Sequence, residues 1–186
     1  MASLIYFMPM SLDGLIAGQA EDMDWASPDE EISAFINERH RPIGTYLYGR
    51  RNYETMMVWD TPDAIPGLNP AMMDFGRIWK AADKIVYSRS LEAVSTPKTR
   101  LEREFEPRAI RERKARSAHD ISVAGPNLAG QAIRAGLVDE YQLLVVPVLL
   151  GRGKRVLPDD TGVKLDLLDE RRFGNGWVYL RYRTRA

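Results

Sequence analysis

Several short stretches of this chain place glycine, cations, hydroxyls or carboxylates directly after an apolar run, where a strand would deliver them to a binding crevice. Gly125-Pro126-Asn127 follows the run Ile121 to Ala124 and opens a helical pattern. A glycine there lets the backbone approach a ligand, and the first N–H groups of the helix face it unpaired, which makes a ready anion site. Pro126 removes one N–H at the position where a first-turn proline is tolerated. The same residues equally suit a plain tight connection. Gly49-Arg50-Arg51-Asn52-Tyr53-Glu54 turns from a strand into another helix. Two arginines in a first turn oppose the helix dipole, and an anionic ligand reverses that penalty. Ser88-Arg89-Ser90 offers two hydroxyls and a guanidinium, a set that suits a phosphate monoester and also an ordinary polar loop.

Two carboxylates stand out. Asp13 follows the run Leu4 to Met8, which sets it at a sheet edge, while Asp13-Gly14 also reads as a turn. Glu30 closes Ser27-Pro28-Asp29-Glu30, which reads as a capping box with Ser27 as N-cap, Pro28 at the first helical position and Glu30 at the third. Glu30 therefore has a structural task whether or not it meets a substrate. Arg152 and Lys154, around the Gly151-Arg152-Gly153 loop, suit either solvent or a substrate phosphate.

The elements that position these residues follow from periodicity. Residues 120–153 read as strand, glycine turn, helix, strand and glycine turn, a βαβ crossover. Ala129, Ile133 and Leu137 give the helix an apolar face, and Tyr141 to Leu150 reads as a strand covered on both sides. Ile32, Phe35 and Ile36 mark a helix after Glu30, and Met72, Phe75 and Trp79 mark another. Thr45 to Tyr48, Lys84 to Tyr87 and Leu165 to Leu168 are strands. Asn175-Gly176 turns a hairpin into a closing strand where Val178, Leu180 and Tyr182 alternate. Gly18 to Met23 is an acidic loop, and Trp59 to Pro70 a long loop suited to a lid or subunit contact. Between Arg100 and Arg116 lie seven basic residues and four glutamates, with Leu101 and Phe105 on a strand and Ala109 to Ala115 on a helix. No aromatic platform interleaves these charges, so they read as a solvated face.

Composition excludes other chemistries. The 186 residues suit a single globular domain, 1–186, with a full core. Lys plus Arg and Asp plus Glu number 26 each, so no net field draws in nucleic acid or an anionic membrane. Without cysteine there is no disulfide, thiol nucleophile or thiolate metal site, and with only His40 and His119 there is no histidine-rich one. Only carboxylate coordination of magnesium is left open, and no metal is expected. No run is long enough to span a membrane, so the expectation is a cytoplasmic protein.

Taken in order, Ser11-Leu12-Asp13-Gly14 with Ile16-Ala17, Gly49 to Glu54, Ile85 to Arg89, Ala124-Gly125 with Leu128, Gly136 to Glu140 and Pro147 to Gly153 make the chain resemble the dihydrofolate reductase-like superfamily. Within it, the sequence is most similar to the C-terminal reductase domain of the bifunctional riboflavin-biosynthesis deaminase-reductase. The resemblance covers nearly the whole chain. It implies a three-layer α/β/α sandwich with a mixed, mostly parallel central sheet and NADPH across the strands' carboxyl ends. It places Gly49, Arg50, Arg51, Ser88 and Arg89 at the adenosine phosphates and Ala124, Gly125, Pro126, Asn127 and Leu128 at the pyrophosphate. Ile16 and Ala17 pass near the nicotinamide, and Asp13, Trp25 and Glu30 face the substrate.

Two departures bear on the substrate. Ala124-Gly125 stands where the family pattern pairs two glycines. The deaminase half is absent from this sequence, which has no cysteine for its zinc. Hydride transfer asks the protein mainly for orientation, exclusion of water and a proton source, so few reactive side chains are needed. The expected activity is NADPH-dependent reduction of a C=N or C=O in a pterin-like or ribosylaminopyrimidine substrate, with Asp13 or Glu30 orienting the ring or relaying the proton and Arg152 on a substrate phosphate. The rival readings are a nucleotide-binding module without turnover and, through Arg100 to Arg116, a nucleic-acid binder. A homodimer is expected from the resemblance and the apolar closing strands.

Overall fold

Alternation along one strand sets the layers. In β1 (Leu4–Ser11) the side chains of Leu4, Tyr6 and Met8 join one core cluster, and those of Ile5 and Phe7 join another on the opposite face, as the two-residue period of a strand requires. A computed structural model describes residues 1–18 and 23–185, so most of the acidic loop read from Gly18 to Met23 lies outside the described residues.

Eight strands form one sheet in the order β5 (Thr99–Glu102), β4 (Asp83–Tyr87), β3 (Ile43–Gly49), β6 (Asp120–Ala124), β1, β7 (Glu140–Val146), β10 (Val178–Thr184) and β9 (Leu165–Arg172). Neighbours from β5 to β7 pair in parallel, and the β9–β10 hairpin adds two antiparallel pairings. One face is covered by α4 (Pro107–Arg116) and α5 (Pro126–Arg134), through Ile110, Leu128, Ala129, Ala132 and Ile133. The other carries α1 (Glu30–His40), α2 (Arg50–Met56) and α3 (Pro70–Ala81), through Ile32, Phe35, Tyr53 and Trp79. This is the three-layer α/β/α sandwich, with its mixed and mostly parallel sheet, that the resemblance implied.

The crossover read from residues 120–153 is present, but its two strands are not neighbours, because β1 runs between β6 and β7. The second strand also stops at Val146 rather than Leu150. Pro147 has no N–H to continue the ladder, and residues 147–153 leave the sheet with Leu149 exposed. On the same edge, beyond the carboxyl end of β1, Gly14 turns the chain at φ 78°, yet no hairpin forms. Instead β2 (Leu15–Ala17) pairs antiparallel with β8 (Lys154–Arg155) in a separate two-stranded ribbon.

Helix α1 begins differently from the expected capping box. Asp29 is its N-cap, accepting from the Ile32 N–H at 2.9 Å, while Glu30 is the first helical residue. Ser27 instead closes the preceding turn, its N–H donating to the Asp24 carbonyl. The carboxylate of Asp29 also accepts from Asn175 Nδ2 at 2.8 Å, tying the helix start to the β9–β10 turn.

The loop after α2 is docked, with Trp59 edge-on to Phe75 and Pro62 packed against Gly76, where an added Cβ would meet it at 2.7 Å. Strand β5 ends before Phe105, and the basic stretch is not wholly solvated: Lys114 is buried, with Nζ 2.9 Å from the Leu137 carbonyl and 2.6 Å from Asp139. Strand β9 runs to Arg172, past the expected Leu168. Among the described residues no helix is long and apolar enough to cross a membrane.

Candidate active site

Five of the polar stretches singled out in the sequence lie beyond the carboxyl ends of parallel strands, while Glu30 stands apart at the start of α1. Ser88 and Arg89 follow β4, Arg50 and Arg51 follow β3, Gly125 to Leu128 follow β6, Asp13 follows β1 and Arg152 lies beyond β7. Since β4, β3, β6 and β1 are successive neighbours, these groups form a line across the sheet top, about 14 Å from β4 to β1.

The cationic end of the line is prearranged. Arg50 donates from Nε to Glu54 at 2.7 Å within α2 and from Nη1 to Ser90 Oγ at 3.1 Å, so it bridges the ends of β3 and β4. Ser88 is buried, and its hydroxyl oxygen accepts from the Ser90 and Leu91 N–H groups, shaping the turn. Among the described residues Arg89 is held only by an exposed contact with Glu104 at 3.1 Å, which is worth little against solvent. Sequence reasoning passed over Arg103, whose Nη1 donates to the Ser88 and Leu91 carbonyls at 3.1 and 2.6 Å and fixes the turn from outside.

In the middle of the line lies the β3–β6 switch point, where open α/β sheets have their ligand crevice. The helices leaving these strands, α2 and α5, lie on opposite faces of the sheet, the arrangement that parts the loops and admits ligands in open α/β sheets. Gly125 stands at the crevice with φ 85° as the N-cap of α5, and no side chain caps that helix start. The Asn127 and Leu128 N–H groups have no partner within the helix. A Cβ on Gly125 would come 3.5 Å from Cβ of Asn52, and Asn52 Oδ1 is buried without a hydrogen bond among the described residues. Asn52 was legible only as part of a motif. Its significance comes from lying across the crevice from Gly125.

Beyond the crevice, Ile16 is buried and Ala17 partly so on β2. Gly153 lies against the Ala17 carbonyl, and the Val156 N–H donates to Gly14 O at 3.0 Å. The buried Tyr6 hydroxyl donates to the Val156 carbonyl at 2.8 Å, and burial pushes its pKa well up, so it stays a neutral donor.

Asp13 is hydrogen-bonded on both oxygens: Oδ1 accepts from Ser11 Oγ at 2.6 Å and Leu150 N at 3.2 Å, and Oδ2 from Gly151 N at 2.7 Å. The Ser11 hydroxyl first, with the two amides, lowers its pKa to about 2.

Glu30 is exposed and not hydrogen-bonded to Asp13. Its neighbours are committed elsewhere, Asp29 as the cap and Glu31 to Arg171 at 2.9 Å. Among the described residues, Glu30 is the one of the three carboxylates with no such partner. Trp25 packs beside Phe35, Phe173 and Trp177 in a cluster on the α1 face. Arg152 is exposed on the loop that Asp13 holds, and makes no side-chain ion pair among the described residues.

Comparison with known proteins bears on the fold and the family. The chain is 27% identical over 186 residues to protein YyaP of Bacillus subtilis (strain 168), itself uncharacterized, covering 96% of this chain and 93% of that one. Its fold superposes on a Shewanella sp. PV-4 protein provisionally assigned to riboflavin biosynthesis with a TM-score of 0.77 at 17% identity, over 100% of both chains. It also superposes, with a TM-score of 0.68 at 17% identity, on the Thermotoga maritima diaminohydroxyphosphoribosylaminopyrimidine deaminase/5-amino-6-(5-phosphoribosylamino)uracil reductase. There the match takes in 99% of this chain but only 57% of the longer protein. These likenesses establish the fold. The RibD C-terminal domain family matches residues 2–179, and the chain belongs to that family.

Proposed function

We propose that the protein is an NADPH-dependent reductase acting on a C=N or C=O of a ribosylaminopyrimidine or pterin-like substrate. The observation that carries this reading is the line across the ends of β4, β3, β6 and β1: cations, a glycine-lined crevice, then an apolar shelf. An extended dinucleotide phosphate has its parts in that order. Family membership supports the reductase class, and the name of the Thermotoga maritima protein supplies the substrate type.

On this reading Gly49, Arg50, Arg51, Ser88 and Arg89 hold the adenosine phosphates, Arg50 already bridging two strand ends. Ala124, Gly125 and Pro126 form the turn, and the Asn127 and Leu128 N–H groups meet the pyrophosphate. The unpaired Asn52 oxygen accepts from a ribose hydroxyl. Ile16 and Ala17 back the reactive ring and keep water from that side. Bound NADPH supplies the hydride. Glu30 holds the proton for the substrate, Trp25 lines its pocket and Arg152 takes its phosphate.

The test is calorimetric titration with NADPH and with NADH, in wild type and Arg50→Ala. Preference for NADPH, weakened by the substitution, is the expected result, and binding of neither cofactor would end the reductase reading. NADPH binding without oxidation in the presence of ribosylaminopyrimidine substrates would leave the module without turnover. For the homodimer we propose a second copy on the β9–β10 hairpin, where Leu167 is 51% and Leu168 40% exposed. Edge strand β9 carries Asp166, Asp169 and Glu170 ahead of Arg171 and Arg172, so an antiparallel copy sets opposite charges face to face. A monomeric mass in sedimentation would refute it.

A further inference from the structure

We propose that Asp13 is a positioning residue and not the proton donor: its carboxylate fastens the loop 147–153 to the end of β1, fixing Arg152 and the Leu15–Ala17 shelf in one arrangement over the cleft. What the cleft holds rests on the reductase reading. The fastening rests on geometry alone.

Asp13 joins two walls of the cleft. On one side the buried Ser11 hydroxyl gives its single proton to Asp13 Oδ1 at 2.6 Å and accepts the Leu15 N–H, the first of β2, at 2.9 Å. On the other side Oδ1 takes the Leu150 N–H and Oδ2 the Gly151 N–H. Gly151 has φ 74°, and its neighbour Arg152 turns back through its own N–H to the Leu150 carbonyl at 2.8 Å. The start of the shelf and the loop bearing Arg152 are therefore linked through one carboxylate. Charge-assisted bonds of this kind are the strong ones.

The same contacts disqualify Asp13 as a proton source. A donor must carry a proton at working pH, whereas the Ser11 hydroxyl and the two amides keep this carboxyl ionised. Each of its oxygens already accepts from the protein, so a substrate N–H would have to compete with the loop.

Asparagine in place of Asp13 keeps the shape but has one oxygen. It can serve Ser11 and Leu150 or it can serve Gly151, with an NH2 group opposed to the remaining donor. Alanine serves none. The experiment is amide hydrogen exchange by NMR on ligand-free wild type, Asp13→Asn and Asp13→Ala, combined with NADPH affinity and with kcat and KM against pH on a phosphorylated ribosylaminopyrimidine.

Fastening predicts exchange at Leu150 or Gly151 at least about tenfold faster in Asp13→Asn, and at both in Asp13→Ala. Amides of β1 and β7 stay protected. KM rises about tenfold, more than kcat falls, and both limbs of the pH profile persist. Unchanged exchange at residues 150 and 151 overturns the proposal. So does a loss of kcat alone with disappearance of one pH limb, which would make Asp13 the proton donor. If wild type binds neither NADPH nor NADH the reductase reading fails, and the exchange rates then decide the fastening by themselves.

Discussion

Gly153 lies against the backbone of Ala17 so closely that a Cβ on it would stand 1.9 Å from the Ala17 carbonyl oxygen and 3.0 Å from Cα of Gly18. Neither atom can yield without moving β2. Gly153→Ala is expected to cost about 1–3 kcal/mol of stability and to separate β2 from β8, weakening any ligand that rests on Ile16 and Ala17. Urea denaturation and NADPH titration of the variant check both effects. Full stability with unchanged affinity would show that the ribbon does not shape the cleft.

Asn52 and Gly125 predict effects of opposite sign. Gly125→Ala puts a side chain at φ 85° and is expected to lose about 1–2 kcal/mol from left-handed strain. Asn52→Ala removes a buried acceptor that has no partner among the described residues, so the free protein should be as stable as wild type or more so. Its NADPH affinity should fall about three- to tenfold as one hydrogen bond is lost. Thermal melts with and without NADPH separate the two. A destabilised free Asn52→Ala protein with normal affinity would make Asn52 structural.

His40 sets an acid limit on stability. Its ring is enclosed by Phe7, Tyr46 and Phe75, with Nδ1 3.0 Å from the Tyr46 hydroxyl, and burial lowers its pKa from 6.5 to about 4. The unfolded chain therefore binds the proton first as pH falls. Stability from neutral His40 is complete above pH 6.5 and is lost down to about pH 4, by about 3 kcal/mol in all. The difference between wild type and His40→Phe in urea stability across that window isolates the histidine from the carboxylates. Parallel curves would contradict it.

Lys84 is 1% exposed, and among the described residues its ammonium has one hydrogen bond, to the Trp79 carbonyl at 3.3 Å, besides lying 4.2 Å from the Trp79 ring centre. Burial is the main cause of its lowered pKa. A buried ion so thinly partnered does not hold the core together. Lys84→Met, of similar length, is expected to leave the urea midpoint at pH 7 unchanged or raised. A loss of more than about 2 kcal/mol would show that the ring contact outweighs desolvation.

The sequence by itself determined which residues follow strands. Gly125, Arg50 and Ser88 were legible because glycine, cations and hydroxyls interrupt apolar runs whose period is local. It likewise determined the apolar run that becomes β1, the α5 crossover and the Asn175-Gly176 turn, and with the ordered motifs it carried the resemblance to the family. It did not determine which strands are neighbours. Strand β1 enters between β6 and β7, and that order alone lines up Arg89, Arg50, Gly125 and Asp13 across the sheet top. Pairing over such separations is a property of the assembled sheet, invisible to any local period.

The same holds for single side chains. Asp13 could be read as a turn or as a reacting group until the loop at 150–151 was seen to occupy it, from 137 and 138 residues away. Asp29 and not Ser27 is the cap, and its carboxylate is held by Asn175 from 146 residues away. Hydrogen bonds and ion pairs go to whatever the fold brings within reach, and only the tertiary structure decides that.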